Sequence, residues 1–334
     1  MKIAVDAMGG DYAPVEVVKG AVEAVRGYNI PVILVGDRSA IESELAKYPD
    51  VKSSIEIRHT SEVVEMDEPP SNAIRRKTDS SITVCGKMVS SGEAQATVSA
   101  GNTGAAMAVA TLIVGRIPGI DRPGIASFLP TRKGKAVILD AGANVDCTVD
   151  NLMQFAVMGK EYVERVMKIQ SPRIGLLSIG EEAAKGDTLT KATNAELAQS
   201  NLNFVGNVEG KEIFRGAADV IVCDGFAGNI VLKVSEGIGE FILGTLKEEV
   251  NRSLICKLGG LLMRPAFRRT MGRLDYAEYG GAPLLGVNGV CIISHGRSNS
   301  RAICNAIRAA ADAVSNDVVD CIKAAVRKEE LIAS

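Results

Sequence analysis

Short β-branched runs alternate with helix-length segments along almost the whole chain, and this rhythm limits the possible folds more than any other feature. Runs at 3–6, 32–36, 55–58, 96–99, 136–140, 174–179, 220–224 and 290–294 read as strands. Stretches at 15–26, 103–114, 149–168, 188–198, 229–250 and 301–326 read as helices. Strands separated by helices cannot pair as hairpins, so the pattern predicts an α/β protein: three αβα layers around a mostly parallel sheet. One stretch breaks the rhythm. In "RPGIASFLPTRKGKAVILD", 122–140, a Pro-Thr-Arg-Lys-Gly turn joins two apolar runs, which predicts a hairpin and hence a mixed sheet. No linker, repeat or low-complexity segment divides the 334 residues, so 1–334 reads as a single catalytic unit.

The strands end alike. "KIAVDAMGGD", "AVILDAGAN" and "DVIVCDGFAGN" each run apolar residues into an Asp followed by small residues, giving Asp6, Asp140 and Asp224 one station. "ATVSAGNTGA" and "GLLSIGEEAAKGD" do the same with Ser99 and Gly180. Taken singly, Asp, Asn and Gly after a strand serve as turn and cap residues. Taken together, five such ends describe the crevice beyond the strands' carboxyl ends, where glycines such as Gly9 and Gly10 let backbone amides approach a small anion. In "SAGNTG", Ser99, Asn102 and Thr103 add side-chain donors suited to a phosphate oxygen or an oxyanion.

Composition narrows the classes. A formal net charge of -2 gives no global reason to bind nucleic acid, and none is expected as a partner. Seven scattered cysteines without a C-x-x-C pair suit reduced thiols in a cytosol. The N-terminus enters a strand pattern at once and no apolar run is long enough to span a bilayer, so a cytoplasmic location is expected. Neither G-x-G-x-x-G after the first strand nor G-x-x-x-x-G-K-[ST] occurs, which argues against a nucleotide-dependent dehydrogenase. No G-x-S-x-G elbow occurs either, so an acyl-serine intermediate is not indicated.

"AVDAMGGDYAP", "PPSNAIRRKTDSS", "SAGNTGA", "LDAGAN", "GEEAAKG", "DGFAGN", "APLLGVNG" and "SHGRSN" appear in order over nearly the whole chain. Together they resemble the PlsX family of bacterial phosphate acyltransferases. The resemblance implies transfer of a long-chain acyl group from acyl-acyl carrier protein to inorganic phosphate, giving acyl phosphate for phospholipid synthesis. It further implies a fold similar to phosphotransacetylases and isocitrate or isopropylmalate dehydrogenases, a homodimer, no cofactor, no metal, and a downstream glycerol-3-phosphate acyltransferase. Phosphotransacetylase-type transfer from acyl-CoA is the alternative.

Phosphate is already largely a dianion near neutral pH, so it needs orientation more than a general base. The candidate catalytic residues are Lys185, Asn229 and His295, and the resemblance favours a reactive role for Lys185. Lys185 is either a charge near the reacting phosphate or a surface lysine paired with Glu181 or Glu182. Asn229 is an amide donor to the carbonyl oxygen or a helix cap, and His295 donates to phosphate or satisfies a backbone carbonyl. His59 is expected to be structural, and Ser298 is expected to cap the helix that follows His295. The substrate-binding set is Asp6, Gly9, Gly10, Ser71, Arg75, Lys77, Ser99, Asn102, Thr103, Asp140, Asn144 and Asp224. Within it, Ser71 and Arg75 lie one helical turn apart. The three Asp residues would repel phosphate unless they orient other groups; three carboxylates could hold Mg²⁺ in principle, but the resemblance implies none.

A basic amphipathic insertion is expected at 251–275. Leu254, Ile255, Leu258, Leu261 and Leu262 make an apolar stripe, with Arg252, Lys257, Arg264, Arg268, Arg269 and Arg273 around it. Gly259, Gly260 and Pro265 should break it into two short helices. Such an element suits packing on the body, an acidic carrier protein, or peripheral attachment to a membrane surface.

Overall fold

The computed structural model describes the backbone of residues 1–274 and 280–333, and their side chains apart from 72, 73, 268–274 and 328–333. Eleven strands are present among the described residues: β1 Ile3–Asp6, β2 Val32–Gly36, β3 Ile55–His59, β4 Ala96–Ser99, β5 Gly124–Thr131, β6 Gly134–Leu139, β7 Ile174–Ser178, β8 Phe204–Glu209, β9 Val220–Val222, β10 Ala282–Leu285 and β11 Val290–Ile293. They form one sheet in the order β3-β2-β1-β4-β11-β10-β5-β6-β9-β7-β8. The helices are α1 Val15–Tyr28, α2 Arg38–Leu45, α3 Pro70–Arg75, α4 Ser81–Ser90, α5 Thr103–Val109, α6 Val149–Tyr162, α7 Thr188–Gln199, α8 Gly210–Ile213, α9 Gly225–Asn251, α10 Leu254–Leu274, α11 Ser300–Ser315 and α12 Val318–Ala333.

Strands buried on both faces need apolar residues at every position, and β1, β2, β4 and β11 are buried throughout. Alternate residues then feed two cores. Ile3 and Val5 enter one with residues of α1, α6, α11 and α12; Ala4 enters the other with residues of α4 and α5. This is the three-layer arrangement expected from the alternation.

The sheet contains two parallel sets that run in opposite directions. β3, β2, β1, β4 and β11 are mutually parallel, as are β6, β9, β7 and β8. The antiparallel pairs β11–β10, β10–β5 and β5–β6 reverse the direction between them. In a flat, unstaggered sheet the carboxyl ends of the two sets would lie on opposite edges. Here the register staggers them. Val98 lies opposite Ile292, and Ile292 opposite Pro283. Leu284 lies opposite Ile125, and Ala126 opposite Leu139. Leu139, the last residue of β6, therefore sits level with Val98, the penultimate residue of β4, and both sets end around the same line. The hairpin expected at 122–140 is β5–β6, and it makes this stagger possible.

Three expectations are corrected. The segment 301–326 is two helices, because Asp317 adopts φ 52° and turns the chain between α11 and α12. Strands β8 and β10 went unread: β8 carries Gly206 at φ 94°, and β10 is four residues long with Pro283 inside it. The segment 254–274 is one continuous helix despite Pro265. Gly260 lets it approach α9, since a Cβ there would meet Val250 Cγ1 at 2.6 Å.

Candidate active site

The ends of β1 and β4 are tied together first. Ser99 Oγ donates to Asp6 Oδ2 at 2.7 Å and accepts from Gly101 N at 3.1 Å, while Met8 N donates to Asp6 Oδ1 at 3.3 Å. Burial pushes the Asp6 carboxyl above the ordinary carboxylate range, although hydrogen bonds from Ser81 and Ser99 oppose this. Gly9 must be small, because a Cβ there would lie 2.4 Å from Asp6 Oδ2. Gly10 holds φ 108° beside Ala100 O and Gly296 O, a conformation that disfavours any side chain. Asp6 and Ser99 thus fix the strand-end loops from beneath and are themselves buried.

Asn102 and Lys77, both expected to bind substrate, hold protein partners in this structure. Asn102 Oδ1 accepts from Ala105 N at 3.0 Å and caps α5; its amide donates to the carbonyls of Glu65, Met66 and Glu68 at 3.2, 3.1 and 2.8 Å. Lys77 Nζ donates to Val63 O and to Glu68 Oε2, both at 2.6 Å. The two residues clamp segment 63–68 beside α5. Ser71 and Arg75 are exposed on α3. A Cβ at Gly104 would meet Pro70 Cγ at 2.4 Å, so α3 lies directly against the start of α5.

Asp140 and Asn144 also turn inward. Asp140 Oδ1 accepts from the amides of Ile125, Gly142 and Ala143, and Oδ2 from Asn144 N and Nδ2, at 2.7–3.1 Å. Asn144 Nδ2 also donates to Pro123 O at 2.8 Å. Five donors saturate a carboxylate, and through them this Asp fixes the loop after β6. Asp224 caps α9 by accepting from Ala227 N at 2.7 Å. The cap of α9 is therefore Asp224, not Asn229, and the Asn229 side chain stands exposed one turn further on. Among the described residues no group of His, Cys, Asp and Glu is arranged to hold a metal ion.

Thr103, Asn229 and His295 come together on one cleft of about 1810 Å³, well above the roughly 300–1,000 Å³ of ordinary small-molecule pockets. His295 Nδ1 accepts from Arg297 N at 3.1 Å, which places the proton of the neutral ring on Nε2. Ser294 lines the same cleft; its hydroxyl is buried and has no hydrogen-bond partner among the described residues. Sequence reasoning missed Ser294, Arg297 and Arg301 on this wall, although "ISHGRSN" had marked the strand end. Away from the polar groups, the cleft continues between β5 and α9, past Ile125, Leu129, Leu232, Ile238 and Ile242. Asn299, not Ser298, caps α11. His59 Nδ1 accepts from Arg38 N at 3.2 Å, a structural contact as expected.

Lys185 is not on the cleft wall. It is exposed in the loop after β7, its amide donating to Glu182 O at 2.9 Å, and it makes no ion pair among the described residues. In the sheet β7 lies beside β9, whose carboxyl end leads into Asp224 and α9.

Residues 1–321 match the family described as Fatty acid synthesis protein. The chain belongs to this family. It is 50% identical over 331 residues to the phosphate acyltransferase of Pelotomaculum thermopropionicum, covering 99% of this chain and 96% of that one. Over 318 residues it is 52% identical to the phosphate acyltransferase of Geobacter sulfurreducens, covering 95% and 92%. As a member of the fatty acid synthesis family with such relatives, it is an enzyme of the acyltransferase class. A phosphotransacetylase from Streptococcus pyogenes shares the fold, with a TM-score of 0.64 over 94% of each chain at 19% identity.

Proposed function

We propose that this enzyme transfers a long-chain acyl group from acyl-acyl carrier protein to inorganic phosphate and releases acyl phosphate for phospholipid synthesis. One observation carries the reading: the polar groups of Thr103, Asn229 and His295 stand on a cleft that continues as an apolar groove between β5 and α9. A polar end suits phosphate and the thioester carbonyl, and an apolar groove suits a fatty chain. A phosphate oxygen attacks the thioester carbon, the carbonyl becomes a tetrahedral oxyanion, and the C–S bond then breaks to release the carrier thiolate. The oxyanion needs donors, which Asn229 and the Nε2–H of His295 supply. Lys185, at the carboxyl end of β7, supplies positive charge when its loop closes over phosphate. Asp6, Ser99, Asn102, Asp140, Asn144 and Asp224 hold the loops that present these groups.

The α9–α10 hairpin belongs to the same proposal. Leu258, Leu261 and Leu262 are 62%, 61% and 77% exposed, and Arg264 lies on the same helix; these apolar side chains are not packed on the body. The side chains of Arg268, Arg269 and Arg273 lie outside the described residues. An exposed apolar stripe with basic neighbours suits an acidic carrier protein or a peripheral hold on an anionic membrane from the cytoplasm. No helix among the described residues is long and apolar enough to cross a membrane. Pairing of two copies, and delivery of product to a glycerol-3-phosphate acyltransferase, complete the proposal.

The decisive experiment incubates the enzyme with palmitoyl-acyl carrier protein and labelled phosphate. Hydroxylamine-sensitive acyl phosphate is expected. Turnover of acetyl-CoA in preference to the palmitoyl thioester would replace this reading by a phosphotransacetylase.

A further inference from the structure

Two buried asparagines stand where neither helix nor strand favours that residue: Asn194 inside α7 and Asn207 inside β8. Strict alternation along β8 would not aim Asn207 at α7. Ile174 lies opposite Phe204, yet Leu176 lies opposite Asn207, so β8 carries one residue more than β7 over this stretch. The extra residue is accommodated at Gly206, whose φ of 94° disfavours a side chain. Bulges are rare between parallel strands, and they re-aim side chains where they occur. Without this one, Asn207 would fall opposite Leu177, on the face whose core holds Val208. With it, Asn207 shares the face of Leu176, whose core also holds Leu197 of α7. There Asn194 Nδ2 donates to Asn207 Oδ1 at 2.9 Å.

The other half of the Asn207 amide leaves the pair. Its Nδ2 donates to Glu182 O at 2.8 Å, and the same carbonyl accepts from Lys185 N at 2.9 Å. One carbonyl thus joins β8 to the turn 182–185, of which Lys185 is the last residue. The lysine folds back from this turn over the end of β7: a Cβ at Gly180 would lie 2.8 Å from Lys185 Cγ. Burying two amides costs free energy that apolar side chains at a helix–sheet contact would avoid, so packing alone does not account for them. We infer that Asn207, supported by Asn194, is a positioning residue for Lys185, fixing the turn from which the lysine reaches phosphate. The inference rests on the acyl-transfer reading above, in which Lys185 supplies the positive charge.

The test measures kcat/KM for phosphate, with palmitoyl-acyl carrier protein, in the unaltered enzyme, Asn207→Ala, Lys185→Ala and the double variant, and reads amide hydrogen exchange of segment 180–186 alongside. Asn207→Ala should lower kcat/KM about fivefold, the worth of one hydrogen bond, and speed exchange in that segment. In the Lys185→Ala background it should lower kcat/KM no further, because nothing is left to position. Asn194→Ala keeps the donation to Glu182 O, should act in the same way more weakly, and carries the test if Asn207→Ala folds poorly. Thr193→Val is the packing control: Thr193 Oγ1 is buried in the same helix without a hydrogen-bond partner among the described residues, so its loss should leave rate and exchange unchanged. An equal fall from Asn207→Ala with and without Lys185, unchanged exchange in 180–186, or a comparable fall in Thr193→Val would overturn the assignment. If the unaltered enzyme makes no acyl phosphate, the functional reading falls, while the exchange result still decides whether Asn207 holds the turn.

Discussion

Ser99 Oγ donates to Asp6 Oδ2 at 2.7 Å, joining the ends of the adjacent parallel strands β4 and β1. Gly101 N donates to the same hydroxyl, so one serine connects a buried carboxyl to the loop that opens α5. Ser99→Ala should cost about 1–3 kcal/mol, since it leaves buried polar groups unsatisfied. Urea denaturation measures this, and a loss below about half a kilocalorie would show the relay to be dispensable.

The same carboxyl gives a pH signature. Burial raises the Asp6 pKa above 3.8, so the folded state holds its proton longer than the unfolded chain. Its contribution is complete below the unfolded value and is lost as pH rises through the folded one. Relative to Asp6→Asn, which cannot titrate, the unaltered enzyme should lose stability as pH rises from 3.8 through the raised value. Chemical denaturation across that range reads the difference, and a parallel pair of curves counts against it.

Asn102→Ala removes both the α5 cap and three donations to the carbonyls of 65–68. The cap alone is worth about 1 kcal/mol. Because the clamp positions a segment beside Thr103, turnover should fall together with amide-exchange protection in segment 63–68. Faster exchange elsewhere but not in that segment would contradict the clamp.

Gly228 is pinned by backbone: a Cβ there would lie 1.9 Å from Asp140 O. Gly228→Ala must move α9 away from the β6 loop, and should destabilise by about 3 kcal/mol or more. A thermal midpoint within a degree of the unaltered enzyme would refute this.

Lys185 and Asn229 are exposed, so Lys185→Ala and Asn229→Ala should leave the denaturation midpoint nearly unchanged. Acyl phosphate formation should nevertheless fall about a hundredfold in kcat/KM, the usual worth of an oxyanion donor. Loss of less than threefold in Lys185→Ala would remove it from the catalytic group.

Much was legible in the sequence because it is local. Alternating apolar runs dictated strands and helices, the Pro-Thr-Arg-Lys-Gly turn dictated the hairpin, and the Asp and Gly after each strand marked where loops converge. What each polar side chain does there was not legible. Asn102 and Lys77 carry the right chemistry to meet an anion, yet each spends it on backbone or side-chain partners brought close by folding, and which donors Asp140 and Asp224 would hold was equally a matter of the fold. Residue type determines what a group can bond, whereas only its neighbours determine whether that capacity is left over.

The sequence by itself determined an α/β chain with glycine-bearing strand ends and a basic apolar segment near 251–275. Only the tertiary structure decided that the two parallel sets run oppositely and still end on one line, with the cleft between β5 and α9 opening beside it. The reason is physical. Strand direction and register arise from pairings between segments more than a hundred residues apart, such as β10 with β5, and no local pattern encodes them.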